Sequence, residues 1–269
     1  MPFEFLEPWH LFLPRGGGHV VSVFGGGGKT TVLKAFAGIL EAEGVPVIVT
    51  TTTRTEVLHW PDLEPMTWDD LVDGVRPAGM STFVHNGLIE NGESAPDGKW
   101  LGLSPDQVDR IAEFCPGHVV LVEADGSARH PVKLHRSDEP VWPRRTSLAV
   151  ACVGLSALGR PVSEVLHRWD RIDRAGLDLE NGSAEWDWRR TTGLLLDAGG
   201  YRDLVPAETP VVLALLQMDE CRDSIGLFSF LDEIMNDDAF PVVAIGDVSG
   251  ASPDMRTAFL SETVVGERE

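Results

Sequence analysis

The sequence predicts an α/β protein: a mostly parallel central sheet between two layers of helices. Two observations carry that expectation. A β-branched run, His19-Val-Val-Ser-Val-Phe24, leads through four glycines into a helix-spaced apolar pattern at Leu33, Phe36, Ala37 and Leu40. A second apolar run, His118-Val-Val-Leu-Val122, ends in Glu123-Ala-Asp-Gly126. A strand, a glycine loop and a helix in that order make a phosphate-binding loop, and an acidic strand end beside it is where a metal would be held. The class is therefore a P-loop NTPase-like three-layer sandwich.

The loop itself is Gly25-Gly-Gly-Gly-Lys-Thr-Thr31. Glycines lack Cβ, so backbone amides can approach an anion closely. Such amides, opening onto a helix N-terminus, favour phosphate through hydrogen bonds and the helix dipole. On this reading Gly25, Gly26, Gly27 and Gly28 supply amides, and Lys29 reaches the β- and γ-phosphates. Thr30 ligates Mg²⁺, and Thr31 completes the loop. The common pattern wants a glycine six residues before the lysine, where this chain has Val23. The loop is therefore short and resembles the G-x-x-G-K-T loop of the Mur-type peptide ligases.

Composition narrows the function classes. The chain has 269 residues, 42 acidic against 22 basic, and a net charge of −20. Such a charge argues against nucleic acid as a main partner, because phosphate contacts along a duplex need Lys and Arg clusters. A nucleotide needs only a local positive site, and one of the chain's four lysines, Lys29, sits in the loop. No apolar run approaches the ~20 residues of a membrane span. Residues 1–14 lack a basic leader and carry Glu4 and Glu7, so cytoplasm is the expected compartment. Cys115, Cys152 and Cys221 form neither a C-x-x-C pair nor a disulfide framework.

In chain order, residues 1–18 read as an apolar lead-in, residues 19–250 as the α/β domain, and residues 251–269 as an acidic tail, partly helical. Helix 1 should run from Thr30 to Glu43 and stop at Gly44. The strand Val45 to Thr53 follows, and a β-α-β unit of this spacing implies parallel strands. Ligands gather at the carboxyl ends of such strands. Thr52 there is a candidate hydroxyl for Mg²⁺, and Arg54 a candidate catalytic cation. Residues 55–103 read as an insertion, with a helix near Asp69–Val75 and strands near Ser81 and Trp100. Ser104, Pro105 and Gln107 spell a capped helix start.

Glu123 and Asp125 are both candidates for the metal carboxylate, and spacing alone does not choose between them. The working assignment gives Asp125 to Mg²⁺ and Glu123 to a water or second ligand. Arg129, His130, Lys133, His135 and Arg136 crowd the next segment of an acidic chain. Arg129 and Lys133 are candidates for an anionic second substrate. Ser147 to Val153 is a buried strand, and residues 162–208 read as mainly helical, most clearly Ala184–Asp197. The strand Thr209 onward ends in Leu216-Gln-Met-Asp219. Asp219 stands where GTPases carry the base-reading aspartate of N-K-x-D, although the Asn and Lys are replaced. A helix over Asp223–Met235 and a strand over Phe240–Ile245 close the domain.

Four motifs in order resemble the YqeC family: Phe24-Gly-Gly-Gly-Gly-Lys-Thr30, Thr50-Thr-Thr-Thr-Arg54, Glu123-Ala-Asp-Gly126 with Pro131 and Lys133, and Val153-Gly-Leu-Ser-Ala-Leu-Gly-Arg-Pro161 with His167-Arg168. The similarity runs from about residue 19 to 245. The resemblance implies a nucleotide-binding, P-loop-like accessory protein of selenium-dependent molybdenum hydroxylases, linked to maturation of their cofactor. It raises His167 as a γ-phosphate sensor or acid/base, and Arg168 as a second-substrate contact. The expected cofactor is Mg²⁺ with ATP or GTP. The expected partner is a molybdenum hydroxylase or a cofactor-maturation protein, with no nucleic acid and no membrane. The leading reading is a slow NTPase. Its rivals are an ATP-dependent ligase or transferase of Mur-like mechanism and a nucleotide-switched, non-enzymatic delivery chaperone.

Overall fold

The computed structural model describes residues 17–56, 63–89, 98–170, 177, 179, 182–221, 223, 225–237, 239–240, 242–247 and 254–260. The predicted lead-in thus lies almost wholly outside the described residues. Strand β1 (Val20–Gly25) enters helix α1 (Lys29–Ala42), which returns the chain to β2 (Val47–Thr51). The segment that follows holds β3 (Arg54–Glu56), β4 (Glu64–Thr67), α2 (Trp68–Val72), β5 (Ser81–His85), β6 (Gly87–Ile89) and β7 (Lys99–Leu101). Then come α3 (Pro105–Phe114), β8 (Val119–Glu123), β9 (Val132–Lys133) and β10 (Thr146–Gly154). Short elements α4 (Val162–Val165) and β11 (Leu166–His167) precede α5 (Trp188–Leu196) and α6 (Tyr201–Leu204). The chain finishes with β12 (Val211–Leu216), α7 (Leu227–Asn236), β13 (Val242–Asp247) and β14 (Asp254–Leu260).

The main sheet has nine strands in the order β14-β13-β12-β10-β1-β8-β2-β5-β4. All neighbours are parallel except β13 and β14. The predicted α/β sandwich with a mostly parallel sheet is the observed architecture. Strand β1 is central and buried along its whole length. Both faces of a parallel sheet are covered, which is why its sequence reads as an unbroken apolar run. Side chains alternate across it. Val21 and Val23 pack with Val32, Leu33, Phe36 and Leu40 of α1, whereas Val20 and Phe24 join the clusters on the opposite face. Phe36 is fully buried, a burial that stabilises the fold by about 1.5–3 kcal/mol.

Three local differences from the sequence reading have physical reasons. The 55–103 stretch does not stand wholly outside the sheet: β4 and β5 extend it beyond β2. Ser81–His85 is buried at every position, as a central parallel strand must be. Strands β3, β7 and β6 form a separate three-stranded sheet. The second difference is the tail, where β14 pairs antiparallel with β13 in place of a partial helix. That pairing satisfies the backbone groups of what would otherwise be an open sheet edge. Residues 162–208 hold short helices, since Asp187 caps α5 by accepting from the Arg190 amide and so starts it later than Ala184. Among the described residues, no helix is long and apolar enough to cross a membrane.

The start of α3 follows the expected capping box. Ser104 Oγ accepts from the Gln107 amide at 3.3 Å, and Gln107 Oε1 accepts from the Ser104 amide at 2.8 Å. Helix α3 contributes Val108, Ile111 and Ala112 to the core under β8. Replacing Ser104 by Ala is expected to lower unfolding stability by about 1 kcal/mol, read from urea denaturation. An unchanged midpoint would show that the cap contributes nothing here.

Candidate functional site

The glycine loop is shaped by close packing before any ligand is considered. Gly25 and Gly28 adopt φ of 104° and 92°, a region that disfavours side chains. A Cβ on Gly26 would lie 1.9 Å from the Pro131 carbonyl oxygen, and one on Gly28 would lie 2.3 Å from Leu216. Three of the loop amides are spent on the protein itself. Gly25 N–H donates to the Asp125 carboxylate at 3.0 Å, Gly26 N–H to Cys152 O at 2.8 Å, and Gly27 N–H to Pro131 O at 3.0 Å. The Gly25, Gly26 and Gly27 amides expected to meet phosphate point their hydrogens into the fold in this structure.

The free cradle sits one step further on. Gly28 O accepts the first intrahelical bond, from Val32 N–H. The amides of Lys29, Thr30 and Thr31 come before it and have no acceptor within the helix. Gly28 has no side chain with which to cap them. They head a 14-residue helix, so the dipole adds to their attraction for an anion.

These amides open into a cavity of about 630 Å³. The loop and α1 line it with Gly26 to Thr31, and the small sheet with Arg54, Thr55 and Lys99. Glu123 ends β8 at its edge, the β8–β9 loop gives Gly126 to Arg129, and His167 and Gln217 complete the wall. Of the candidates read from sequence, Gly26, Gly27, Gly28, Lys29, Thr30, Thr31, Arg54, Glu123, Arg129 and His167 meet there. Gly25, Thr52, Asp125, Lys133, Arg168 and Asp219 do not line it. Thr55, Lys99, Ser127 and Gln217 do, and sequence reasoning passed over them. Lys99 had a usable signal, as one of four lysines in a very acidic chain.

The two carboxylates after β8 differ in depth. Both face Lys29, whose Nζ lies 3.8 Å from Glu123 and 3.3 Å from Asp125. Glu123 keeps 14 % of its side chain exposed and Asp125 none. Asp125 lies behind the loop, where it binds the Gly25 amide, Lys29, Lys133 (3.2 Å) and His135 Nε2. Burial alone would raise its pKa, but Lys29, His135 and Lys133 outweigh burial and hold it far below the usual carboxylate range. In this structure the carboxylate proposed for Mg²⁺ is thus held by partners within the protein and does not line the cavity. The Thr52 hydroxyl donates to Val141 O at 2.8 Å, and Thr52 does not line the cavity. Asp219 falls in a short 3₁₀ turn after β12, and Gln217 reaches the cavity in its stead.

Two other candidates are held by carboxylates of the protein in the same way. Lys133 is fully buried, with Nζ 3.2 Å from Asp125 and 2.9 Å from Glu139. The Arg168 guanidinium grips Glu139 through two bonds of 2.6 and 2.9 Å. Both cations brace the protein and lie outside the cavity lining. Burial would raise Glu139, yet Arg168 and Lys133 bring it down to about 2. Lys29 is raised, because Asp125 and Glu123 overcome the effect of burial. Glu123 is raised by burial, with Lys29 opposing. His167 is lowered to about 4 by burial and by neighbouring Arg168, His130 and Lys133.

Backbone strain gathers at the same place. Ala128, Arg129, Arg168 and Gln217 all take φ between 47° and 70°. Each such residue costs roughly 1–2 kcal/mol without a glycine, and strain of this kind collects at functional sites.

With the geometry in place, comparison with known proteins is informative. The family model described as "YqeC protein" matches residues 21–170, more than half of the chain. The chain belongs to the YqeC family. The YqeC match spans β1 through β11 and thus every cavity-lining residue named above except Gln217. A relative described as "Uncharacterized protein YqeC" from Escherichia coli (strain K12) is 29% identical over 233 residues. That alignment covers 85% of this chain and 87% of the YqeC relative. No solved structure matches.

Two measurements check this architecture. Gly26→Ala should lower stability by about 1–3 kcal/mol or more, because its Cβ meets backbone at 1.9 Å; an unaltered urea midpoint would contradict the close approach of Pro131. The second is a pH titration. A carboxyl lowered on folding contributes stability above its unfolded pKa and loses it as pH falls through its folded pKa. Glu139 goes from 4.5 to about 2, so stability should drop across that window. Glu139→Gln should be less stable at neutral pH and lose less across the same range. Identical acid profiles for the two proteins would contradict the ion-paired state of Glu139.

Proposed function

We propose that this protein binds the triphosphate of ATP or GTP with Mg²⁺ and acts in the cytoplasm as a slow NTPase. Its role would be accessory, in maturation of selenium-dependent molybdenum hydroxylases or their cofactor. The observation that carries the nucleotide reading is the meeting of the unpaired α1 amides with Lys29, Arg54 and Lys99 in one cavity. The hydroxylase context is what the resemblance of the four sequence motifs to the YqeC family implies.

The residues present fit a Mg²⁺-bound triphosphate. Thr30 is exposed at the head of α1, and Glu123 lines the same cavity. Thr30 and Glu123 would hold the ion, which binds through few protein ligands alongside phosphate oxygens and water. Among the described residues, no group of three or more His, Cys, Asp or Glu is arranged to hold a metal alone. Bound there, Mg²⁺ would neutralise charge across the β- and γ-phosphates.

The side chains have separable tasks. Lys29 stays an ammonium, fixed by the Gly25 and Gly26 carbonyls at 2.8 and 3.1 Å. Its charge therefore sits on the floor of the cradle. Arg54 and Lys99 come from the paired strands β3 and β7 and supply charge from a second wall. Glu123, close to the Thr55 hydroxyl at 3.4 Å, would orient water as well as hold the ion. Transfer to water would then depend on positioning and electrostatics rather than covalent catalysis.

Calorimetric titration with ATP and GTP, with and without Mg²⁺, tests the proposal. Mg²⁺-dependent binding of one of them is expected, and Lys29→Ala should weaken it about tenfold or more, or ~1.4 kcal/mol. Equal affinity in the variant, or no binding by the parent, would sink the nucleotide reading. The accessory role has its own test. Loss of the gene should lower selenium-dependent molybdenum hydroxylase activity and spare selenium-independent enzymes; equal effects on both would refute it.

A further inference from the structure

We propose that Gln217, held in place by Ser156, is a ligand-contacting residue of the cavity: its side-chain amide donates a hydrogen bond to the α-phosphate of the bound nucleotide, at the end away from Mg²⁺. This inference rests on the nucleotide reading and adds to it a residue outside the stretch that the YqeC model matches.

The segment around Ser156 is one of the four motifs, and the phosphate cradle leaves it without a task. Strand β10 runs through Gly154 into a short 3₁₀ turn, Leu155–Ala157. Strand β12 lies beside it, with Leu216 opposite Gly154. Gln217 comes next, and its carboxamide crosses over Gly154, where a Cβ would lie 2.1 Å from Oε1. The carboxamide also rests on Gly27, whose Cβ would come 3.2 Å from Oε1 and 3.3 Å from Nε2. The buried Ser156 hydroxyl donates to Oε1 at 2.7 Å. Two glycines thus make room for this carboxamide, and one hydroxyl fixes it.

With Oε1 bound, Nε2 is the open end. Gln217 lines the cavity and Ser156 does not. Among the described residues, Nε2 meets no acceptor. The backbone of Gln217 is left-handed, φ 61° and ψ 39°, a conformation uncommon outside glycine. A side-chain amide is a donor without charge. It can therefore add a bond to a phosphate oxygen without repelling Lys29.

The order of the sheet sets which part of the ligand it meets. Glu123 ends β8 and Gln217 follows β12, with β1 and β10 between those strands. Neighbouring strands lie ~4.8 Å apart, so these two walls stand about 14 Å apart at the backbone. With Mg²⁺ and the β- and γ-phosphates on the Glu123 side, Gln217 faces the other end of the chain, where the α-phosphate leads to the nucleoside.

The test is calorimetric titration, in Mg²⁺, of ADP or GDP and of the matching non-hydrolysable triphosphate analogue. Gln217→Met keeps the length of the side chain and removes the donor. It should weaken diphosphate and triphosphate alike, each about tenfold. Ser156→Ala should weaken both about threefold in the parent, and should change nothing further in Gln217→Met, because its effect runs through the carboxamide. A merely structural role for Ser156 would make the two losses add, which overturns the proposal. Gln217→Glu keeps the acceptor for Ser156, loses the donor and gains a charge. Its loss should be the largest and, relative to the parent, should shrink as pH falls towards the ~4.3 of a glutamate. This variant carries the test if Gln217→Met does not fold, and a loss independent of pH would then overturn the contact. Unchanged diphosphate affinity in Gln217→Met, or a loss confined to the triphosphate, also overturns it. Absence of nucleotide binding in the parent would defeat the nucleotide reading and this contact with it; binding indifferent to Gln217 would defeat the contact alone.

Discussion

The enclosed carboxylate of Asp125 is the interaction on which the rest of the site depends. It is fully buried, yet it stays ionised because three basic side chains and a backbone amide converge on it. Through Gly25 it fixes the end of β1, through Lys29 the start of α1, and through Lys133 the ribbon of β9 and β11. Burying ions is expensive, and their mutual attraction repays that expense only when the geometry is good and every lone pair is used. Asp125 meets that condition. Its removal would strand Lys133, whose other ion-pair partner is Glu139.

A division of labour among the cations follows. Lys133 and Arg168 lie inward and hold carboxylates of the protein. Arg54, Lys99 and Arg129 lie outward and line the cavity. Lys29 stands between, bound to the floor yet part of the lining. Depth decides which basic residues are enclosed with carboxylates of the protein and which reach the cavity. The same rule separates Glu123 from Asp125, two residues apart and both facing Lys29.

In the loop, packing decides which amides stay open. Four glycines invite the reading that all their amides meet phosphate. In the fold, glycine is needed first because Pro131, Cys152 and Leu216 crowd the loop to within van der Waals contact. Pro131 O accepts from both Gly27 and Gly154, so one carbonyl joins the glycine loop to the end of β10. The amides left over are those of the helix start, where α-helix geometry alone leaves donors without acceptors.

Much of this was legible in the sequence. The apolar run before the glycines, the helix period after them and the second apolar run ending at Glu123 fixed the α/β sandwich, because local periodicity reports burial on one face or two. Ser104, Pro105 and Gln107 announced α3 for the same reason, since a cap is satisfied within four residues. Lys29, Arg54, Glu123, Arg129 and His167 could be marked as candidates by residue type and position. Tertiary structure alone decided the rest. That Asp125 is sealed while Glu123 is open, that Lys133 and Arg168 are bracing charges, and that Lys99 and Gln217 reach the cavity all depend on contacts between segments distant in the chain. Side-chain chemistry is written locally, but solvent exposure and partner choice are set by which strands become neighbours, and no local pattern records that.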